Sequence, residues 1–336
     1  DAILEVSIWQ DSAFYIAIIV AIFTIFFGTR RVDATEHHQG IMLAIAFESM
    51  IKLTAFLAVG IFAVYFIFDG FADLWQQANS HDKTRSILSN RQPSFVYLSQ
   101  AFLGMVAILC LPRQFHVLVV ENRSISELKK SRWIFPGYLL LINLFILPIA
   151  LAGNIYFQGG GVSAEDYILM LPITEGNHLL TLLVFVGGVS AATSMIIVAT
   201  IVLSTMVSNE IIMPLAVKFN LLNLNRQADL SKKILHIRRW LIFIILFLSY
   251  AYYRKISVSE QLATTGLISM ALIAQLAPAL VAGIYWKRSS RKAIIIGLIA
   301  GLIVWAYTLL LPLLISSGYF SNDILTQGLW GMSLLK

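Results

Sequence analysis

Eight long runs of apolar residues, separated by short polar connections, dominate the pattern along this chain. A helix needs roughly 17–25 mainly apolar residues to cross the ~30 Å hydrocarbon core of a bilayer. Strands of a membrane barrel would alternate apolar and polar residues, and these runs do not. The pattern therefore predicts an all-α polytopic membrane protein of about eight transmembrane helices. The predicted spans lie near residues 13–28, 40–68, 94–112, 133–157, 178–206, 239–253, 261–286 and 293–315.

The composition supports this prediction, because 58% of the 336 residues are hydrophobic, 12% are charged and the mean hydropathy is +0.80. Soluble domains are about 45–50% apolar and about 25% charged.

The single cysteine, Cys110, excludes an intrachain disulfide. No soluble domain is visible, so we expect residues 1–336 to form one transmembrane domain. The chain begins without Met or a basic signal-peptide start, and we expect a fragment of a longer protein.

Lysine and arginine are divided unevenly between the two sets of alternating connections. The set near residues 29–39, 113–132, 207–238 and 287–292 carries 17 of the 24 basic residues, and the other set, with both chain ends, carries six. Cytoplasmic connections of membrane proteins are enriched in Lys and Arg. We therefore predict that the first set is cytoplasmic and that both ends lie on the outer side. The formal charge of +6 then encodes orientation, and we expect no nucleic-acid partner.

Two charged residues, Glu48 and Lys52, lie inside the second apolar run. Their spacing of four places them on one face of a helix, in the order that favours an ion pair. Charges at mid-membrane are costly and usually face the bundle interior or a watery cavity. We predict that the two form a buried ion pair, which serves either as a clamp between helices or as part of a functional site.

The fifth run combines small residues with hydroxyl side chains. Gly187 with Ala191, and Gly188 with Ala192, are four residues apart, and small residues at this spacing let another helix approach closely. Six hydroxyls follow along the same run, those of Ser190, Thr193, Ser194, Thr200, Ser204 and Thr205. With backbone carbonyls they offer oxygen ligands suited to a small hard cation. Each taken singly is also compatible with a hydrogen bond to its own helix backbone.

Residues that weaken a helix occur inside three predicted spans: Gly104 in the third, Pro136 and Pro148 in the fourth, and Pro278, which follows Gln275, in the seventh. Broken helices expose backbone groups to ligand in transporters, although Gly and Pro are also generally commoner in membrane spans. The adjacent His37 and His38 lack the spaced partners of a metal site. No catalytic motif is present, so an intramembrane enzyme is the least favoured class.

Four segments of the chain resemble the sodium/solute symporter family, and more narrowly the symporter-type membrane domain of CbrA-like bacterial sensor histidine kinases. They are FGTRRVDATEHHQGIMLAIAFESMIKLTAFLAVG (27–60), LCLPRQFHVLVVENR (109–123), FPGYLLLINLFILPIALAG (135–153) and GGVSAATSMIIVATIVLSTMVSNEIIMPL (187–215). The resemblance implies a LeuT-like inverted-repeat bundle, of which this chain holds the fifth to twelfth of thirteen spans. The glutamate and lysine at 48 and 52 look like a mark of the kinase-fused group.

The resemblance also implies a sodium site, at which symporters place an alanine followed by a serine–threonine pair. Ala191 and Ser194 match that pattern, whereas Met195 stands at the threonine position. A thioether is a poor ligand for a hard cation, so coupling to Na⁺ is expected to be weak. Gln100, Gly104 and Gln275 are the residues that we expect to contact the solute.

We therefore expect a transporter-like sensory domain of a bacterial histidine kinase, located in the cell inner membrane and surrounded by lipid. It would bind a small nutrient such as an amino acid near the midplane. Kinase domains following this chain would act on a cytoplasmic response regulator. The alternative is a stand-alone symporter that moves its solute with sodium or protons.

Overall fold

A computed structural model describes residues 7–28, 39–89, 93–122, 124–158, 160–219, 227–256, 262–287 and 289–316. This part of the chain is helical and contains no strand. His37 and His38 lie outside the described residues. The described α-helices are α1 (Ser12–Gly28), α2 (Gln39–Phe62), α3 (Phe71–Ser80), α4 (Asp82–Ser89), α5 (Ser94–Cys110), α6 (Pro112–Phe115), α7 (Ile125–Leu144), α8 (Ile146–Tyr156), α9 (Tyr167–Thr174), α10 (His178–Val207), α11 (Met213–Lys218), α12 (Gln227–Ile256), α13 (Leu262–Ala274), α14 (Leu276–Tyr285), α15 (Arg291–Trp305) and α16 (Leu311–Ser316).

Six stretches of the described helices are long and apolar enough to cross a membrane. They are Met42–Ile67, Ile125–Tyr156, His178–Lys218, Ser231–Arg254, Ala263–Tyr285 and Arg291–Ile315. The pair formed by α5 and the segment Pro112–Val120 would be a seventh, bent by 54°. All eight predicted runs contain helix. The first contains only the shorter apolar helix Ser12–Phe26, so a count of eight spans stays a prediction.

The helix boundaries differ from the predicted ones in three places. The fourth span begins at Ile125 and not near residue 133, because Ser124 caps the helix by accepting a hydrogen bond from the Glu127 amide. The fifth continues to Lys218 through a π-helical turn at Ser208–Ile212, which gives one helix of 41 residues. Helices α3 and α4 occupy a connection for which the sequence predicted no helix.

The surface of the spans is strongly apolar. The most apolar parts of Ala263–Tyr285 and Arg291–Ile315 contain no buried residue. Exposed apolar surface of this extent is incompatible with water and is normal against lipid. These helices therefore present side chains to the hydrocarbon core.

The chain divides into two compact units. The first comprises Asp1–Glu36, Pro93–Val120 and Ala199–Lys336, and the second comprises His37–Gln92 and Glu121–Val198. Within the first unit, α12 packs along α1, and the Tyr250 hydroxyl donates to Asp11 Oδ2 at 2.8 Å. Asp11 also caps α1, since its Oδ1 accepts the Ala13 amide at 2.9 Å.

The core of the second unit lies around the C-terminal half of α2. Val59 and Val64 are fully buried there, together with Leu74 of α3, Ala152 of α8 and Leu171 of α9. Leu180 and Val184, from the N-terminal part of α10, complete the same cluster. The cluster fixes one end of α2 and one end of α10 against each other.

Candidate functional site

The bent span in the first unit breaks at Leu111. Cys110 ends α5, Leu111 is extended with φ −65° and ψ 119°, and Pro112 occupies the first turn of α6. Proline disfavours helical backbone in the residue before it and is well tolerated at a helix start, so this sequence places a break here. His116 follows at the beginning of a π-helical turn, His116–Val120. Such turns occur frequently at functional sites.

A second break in the same unit lies at Gln275, between α13 and α14. Pro278 has no N–H and cannot donate to the carbonyl of Ala274, the residue at which α13 ends. Pro148 acts in the same way in the second unit, where α7 ends at Leu144. Pro136 and Gly104 lie inside continuous helices. Gln275 itself keeps helical backbone angles, φ −65° and ψ −18°, and Ala263–Tyr285 remains one span, so this interruption is a proline kink that frees the Ala274 carbonyl.

Helix α5 packs against both α13 and α14, on either side of the Gln275 break. Gln100 and Gly104 lie on α5, four residues apart and so on one face. Gln100 is exposed, and a Cβ added at Gly104 would meet no described atom within 4 Å. The Gln275 amide instead packs against Gly301 of α15. The structure thus brings together the helices that carry the three predicted solute-binding residues, and their contact with a solute stays a prediction.

In the second unit, α2 and α10 approach each other closely at Gly187. A Cβ added there would lie 3.0 Å from Ala55 Cβ and 3.7 Å from the Lys52 Cα. At Gly188 an added Cβ would meet no described atom within 4 Å. Close approach is the role predicted for small residues in this run, and it is confirmed for Gly187 but not for Gly188.

The contacts along α2 and α10 show that the two helices run in opposite directions. Leu180 and Val184 belong to the core cluster that includes the C-terminal half of α2, whereas the earlier residues Lys52 and Ala55 meet Gly187. Glu48 lies four residues before Lys52 and Ala191 four residues after Gly187, so each lies about 6 Å beyond this contact along its own helix, in the same direction. Glu48, Lys52 and Ala55 share one face of α2, and Gly187, Ala191 and Ser194 share one face of α10.

One oxygen in this region has no partner. Glu48 Oε2 is buried, and within the described residues it accepts no hydrogen bond. Burying an unsatisfied carboxylate oxygen is unfavourable, so a cation or a proton at this oxygen would be stabilising. Lys52 is one helical turn away, and the predicted ion pair between the two side chains stays a prediction.

The hydroxyls of α10 largely bond their own helix. Thr193 donates to the carbonyls of Val189 and Ser190, and Ser194 donates to the Ala191 carbonyl at 3.2 Å. This is the simpler of the two roles that the sequence left open. Met195, at the position where the resemblance implies a threonine, is 50% exposed. In the described part of the chain, no group of three His, Cys, Asp or Glu side chains is placed to hold a metal ion.

Sequence reasoning missed a polar contact in the first unit. Arg238 of α12 is only 6% exposed, and its Nη2 donates to Asn209 Oδ1 at 3.3 Å. Asn209 lies in the π-helical turn that follows α10, beside the buried Ser208. The two residues are 29 positions apart, so no local sequence pattern predicts their contact. The sequence showed only that Arg238 is a basic residue at the start of an apolar run.

No protein-family model, curated protein or solved structure matches this chain. The helices and their apolar surface define the class: this is an all-α, multi-pass membrane protein.

Proposed function

We propose that this chain is the solute-binding part of a symporter-like membrane protein, in the role of the sensory domain of a bacterial inner-membrane histidine kinase. The observation that carries the solute-binding role is the bent span at Leu111, packed against the proline kink at Gln275 in the first unit. Discontinuous helices are the device by which many transporters present backbone groups to a substrate at the midplane. The kinase connection rests on the resemblance of residues 27–60 and the other three segments.

The chemistry at the Gln275 break favours a small zwitterion. The Ala274 carbonyl, to which Pro278 cannot donate, offers an acceptor to an ammonium group. The Gln275 side chain adds one acceptor and two donors. An amino acid can use both kinds of group, its ammonium with the acceptors and its carboxylate with the amide donors, so an amino acid is the proposed solute.

We place the proposed cation site between these two helix faces, those of α2 and α10, next to the close approach at Gly187. Ala191 supplies a carbonyl, Ser194 a hydroxyl and Glu48 the unsatisfied carboxylate oxygen, a set of hard ligands suited to Na⁺. The Lys52 ammonium and a bound cation would compete for Glu48, because either one neutralises it. Removing Lys52 should therefore strengthen cation binding.

The test of the solute site is equilibrium binding of radiolabelled amino acids to the purified full chain in lipid nanodiscs. We expect saturable binding of at least one amino acid, and at least a tenfold loss of affinity for Gln275→Ala. Gln158→Ala is the matched control, since Gln158 lies in the second unit and contacts His81. Absence of binding by any of the twenty amino acids, or equal loss in both variants, would contradict the proposed site.

The same preparation separates the sensor from the alternative, a stand-alone sodium- or proton-coupled symporter. Proteoliposomes with an inward sodium or proton gradient should show binding without accumulation if the chain is a sensory domain. Accumulation driven by either gradient would favour the symporter. If the chain is a sensory domain, adding the amino acid should change the rate at which the full-length protein transfers a phosphoryl group to its response regulator.

A further inference from the structure

A groove lies between α14 and α15 in the first unit, with a cavity volume of about 480 Å³. Its walls are small or apolar: Pro278, Ala279 and Ala282 on α14 face Ala293, Gly297 and Leu298 on α15. Both helices belong to membrane spans whose surface is exposed. The groove therefore opens toward the hydrocarbon phase.

The groove extends through the depth of one leaflet. Gln275 forms its deep end, and Ser289 and Ser290 form its mouth at the connection between the two spans. The ten residues of α14 give it a length of about 15 Å, which is half of the ~30 Å hydrocarbon core. A transmembrane helix of another protein would need a surface of twice this length, whereas the acyl chain of a phospholipid occupies one leaflet.

Basic residues surround the mouth. Lys287, Arg291 and Lys292 are all exposed there, and no Asp or Glu occurs between residues 261 and 322. Trp286 lines the mouth and is 66% exposed, as is typical of tryptophans at the level of lipid headgroups. The Ser290 hydroxyl oxygen accepts the Ala293 amide at 3.2 Å, which leaves the hydroxyl proton available to a further acceptor.

We propose that the groove is a binding site for an anionic phospholipid, with one acyl chain between α14 and α15 and the phosphate at the mouth. Lys287, Arg291 and the Ser290 hydroxyl are the groups that recognise the phosphate. Basic pockets between membrane helices are a known mode of anionic lipid recognition. The groove shares Gln275 with the proposed solute site, whereas Lys287, Arg291 and Ser290 belong to neither the solute site nor the cation site, so their substitution tests lipid binding separately.

The test uses the full chain in nanodiscs and follows the quenching of Trp286 fluorescence by phospholipids with brominated acyl chains. The difference between wild type and Trp286→Phe isolates the Trp286 signal from the other tryptophans. We expect brominated phosphatidylglycerol, at a low mole fraction in phosphatidylcholine, to quench Trp286 at far lower concentrations than brominated phosphatidylcholine. Each cation near the surface is worth about fivefold in affinity, so Lys287→Gln, Arg291→Gln and Lys292→Gln together should weaken phosphatidylglycerol binding about a hundredfold at low salt.

Two matched controls keep the result specific. Replacing Lys129, Lys130 and Arg132 by Gln removes the same charge from the exposed start of α7 and should leave Trp286 quenching unchanged. Ala282→Phe should fill the groove and abolish the preference, whereas Ala300→Phe on the exposed surface of α15 should not. Equal quenching by both lipids would overturn the proposal. Absence of quenching by either would overturn it too, because another protein segment would then cover the groove.

Discussion

The contact between α2 and α10 provides a stability prediction with an internal control. An alanine methyl at Gly187 would lie 3.0 Å from Ala55 Cβ, whereas at Gly188 it would meet no described atom within 4 Å. Carbon atoms pack best at about 3.5–4.0 Å, so Gly187→Ala must push the helices apart by roughly 0.5–1 Å. Both substitutions replace Gly by Ala within the same helix.

The expected magnitudes follow from two opposing effects. Each Gly→Ala change in a helix interior is worth about 1 kcal/mol of added stability. Overpacking at Gly187 costs about 1–3 kcal/mol and is absent at Gly188. Gly188→Ala should therefore be more stable than wild type by about 1 kcal/mol, and Gly187→Ala should be less stable than Gly188→Ala by about 1–3 kcal/mol.

The measurement is reversible unfolding in mixed detergent micelles titrated with sodium dodecyl sulfate. Combining Gly187→Ala with Ala55→Gly moves the methyl group across the contact and should restore much of the stability lost to overpacking. Equal stabilities of the two single variants, within about 0.5 kcal/mol, would refute the close approach of α2 and α10 at Gly187 and with it the cation site proposed beside that approach.

Three further predictions concern topology, the charged pair and the core. An impermeant maleimide should label Gly161→Cys but not Lys287→Cys in intact cells, and the reverse pattern would invert the predicted orientation. Lys52→Met should lower the unfolding free energy by about 3–5 kcal/mol, and adding Glu48→Gln should recover most of that loss. An unfolding free energy of Lys52→Met equal to that of the wild type would argue against the ion pair. A Cβ at Gly153 would collide with the ring of Tyr167, so Gly153→Ala should lower the melting temperature of the wild type much more than that of a Tyr167→Ala variant.

The membrane spans could be predicted because hydropathy is a property of the local sequence. Pro148 and Pro278 correctly indicated two interruptions of the helices. Each proline lacks an N–H, so the carbonyl four residues earlier, at Leu144 or at Ala274, loses its helical partner. The bend at Leu111 was also readable in principle, from Pro112, which lies two residues after the end of α5. Gly104 lies within the continuous part of α5, because a single glycine lowers helix stability without removing a hydrogen bond.

The arrangement of the site residues could not be read in the same way. Gly187 and Gly188 have the same spacing to Ala191 and Ala192, and only the direction in which α10 faces α2 distinguishes them. The orphaned oxygen of Glu48 likewise depends on which side chains surround it in space. Local sequence gives the period of a helix but not its rotation about its own axis, which is set by the packing partners.

The 41-residue helix His178–Lys218 is much longer than the membrane is thick. At 1.5 Å per residue it measures about 60 Å, whereas a 30 Å core crossed at the steepest usual tilt of about 40° takes up roughly 39 Å. At least about 20 Å must therefore stand outside the hydrocarbon phase. A change in tilt of about 10° would move the far end of a segment of about 20 Å by roughly 3–4 Å, a displacement longer than a hydrogen bond.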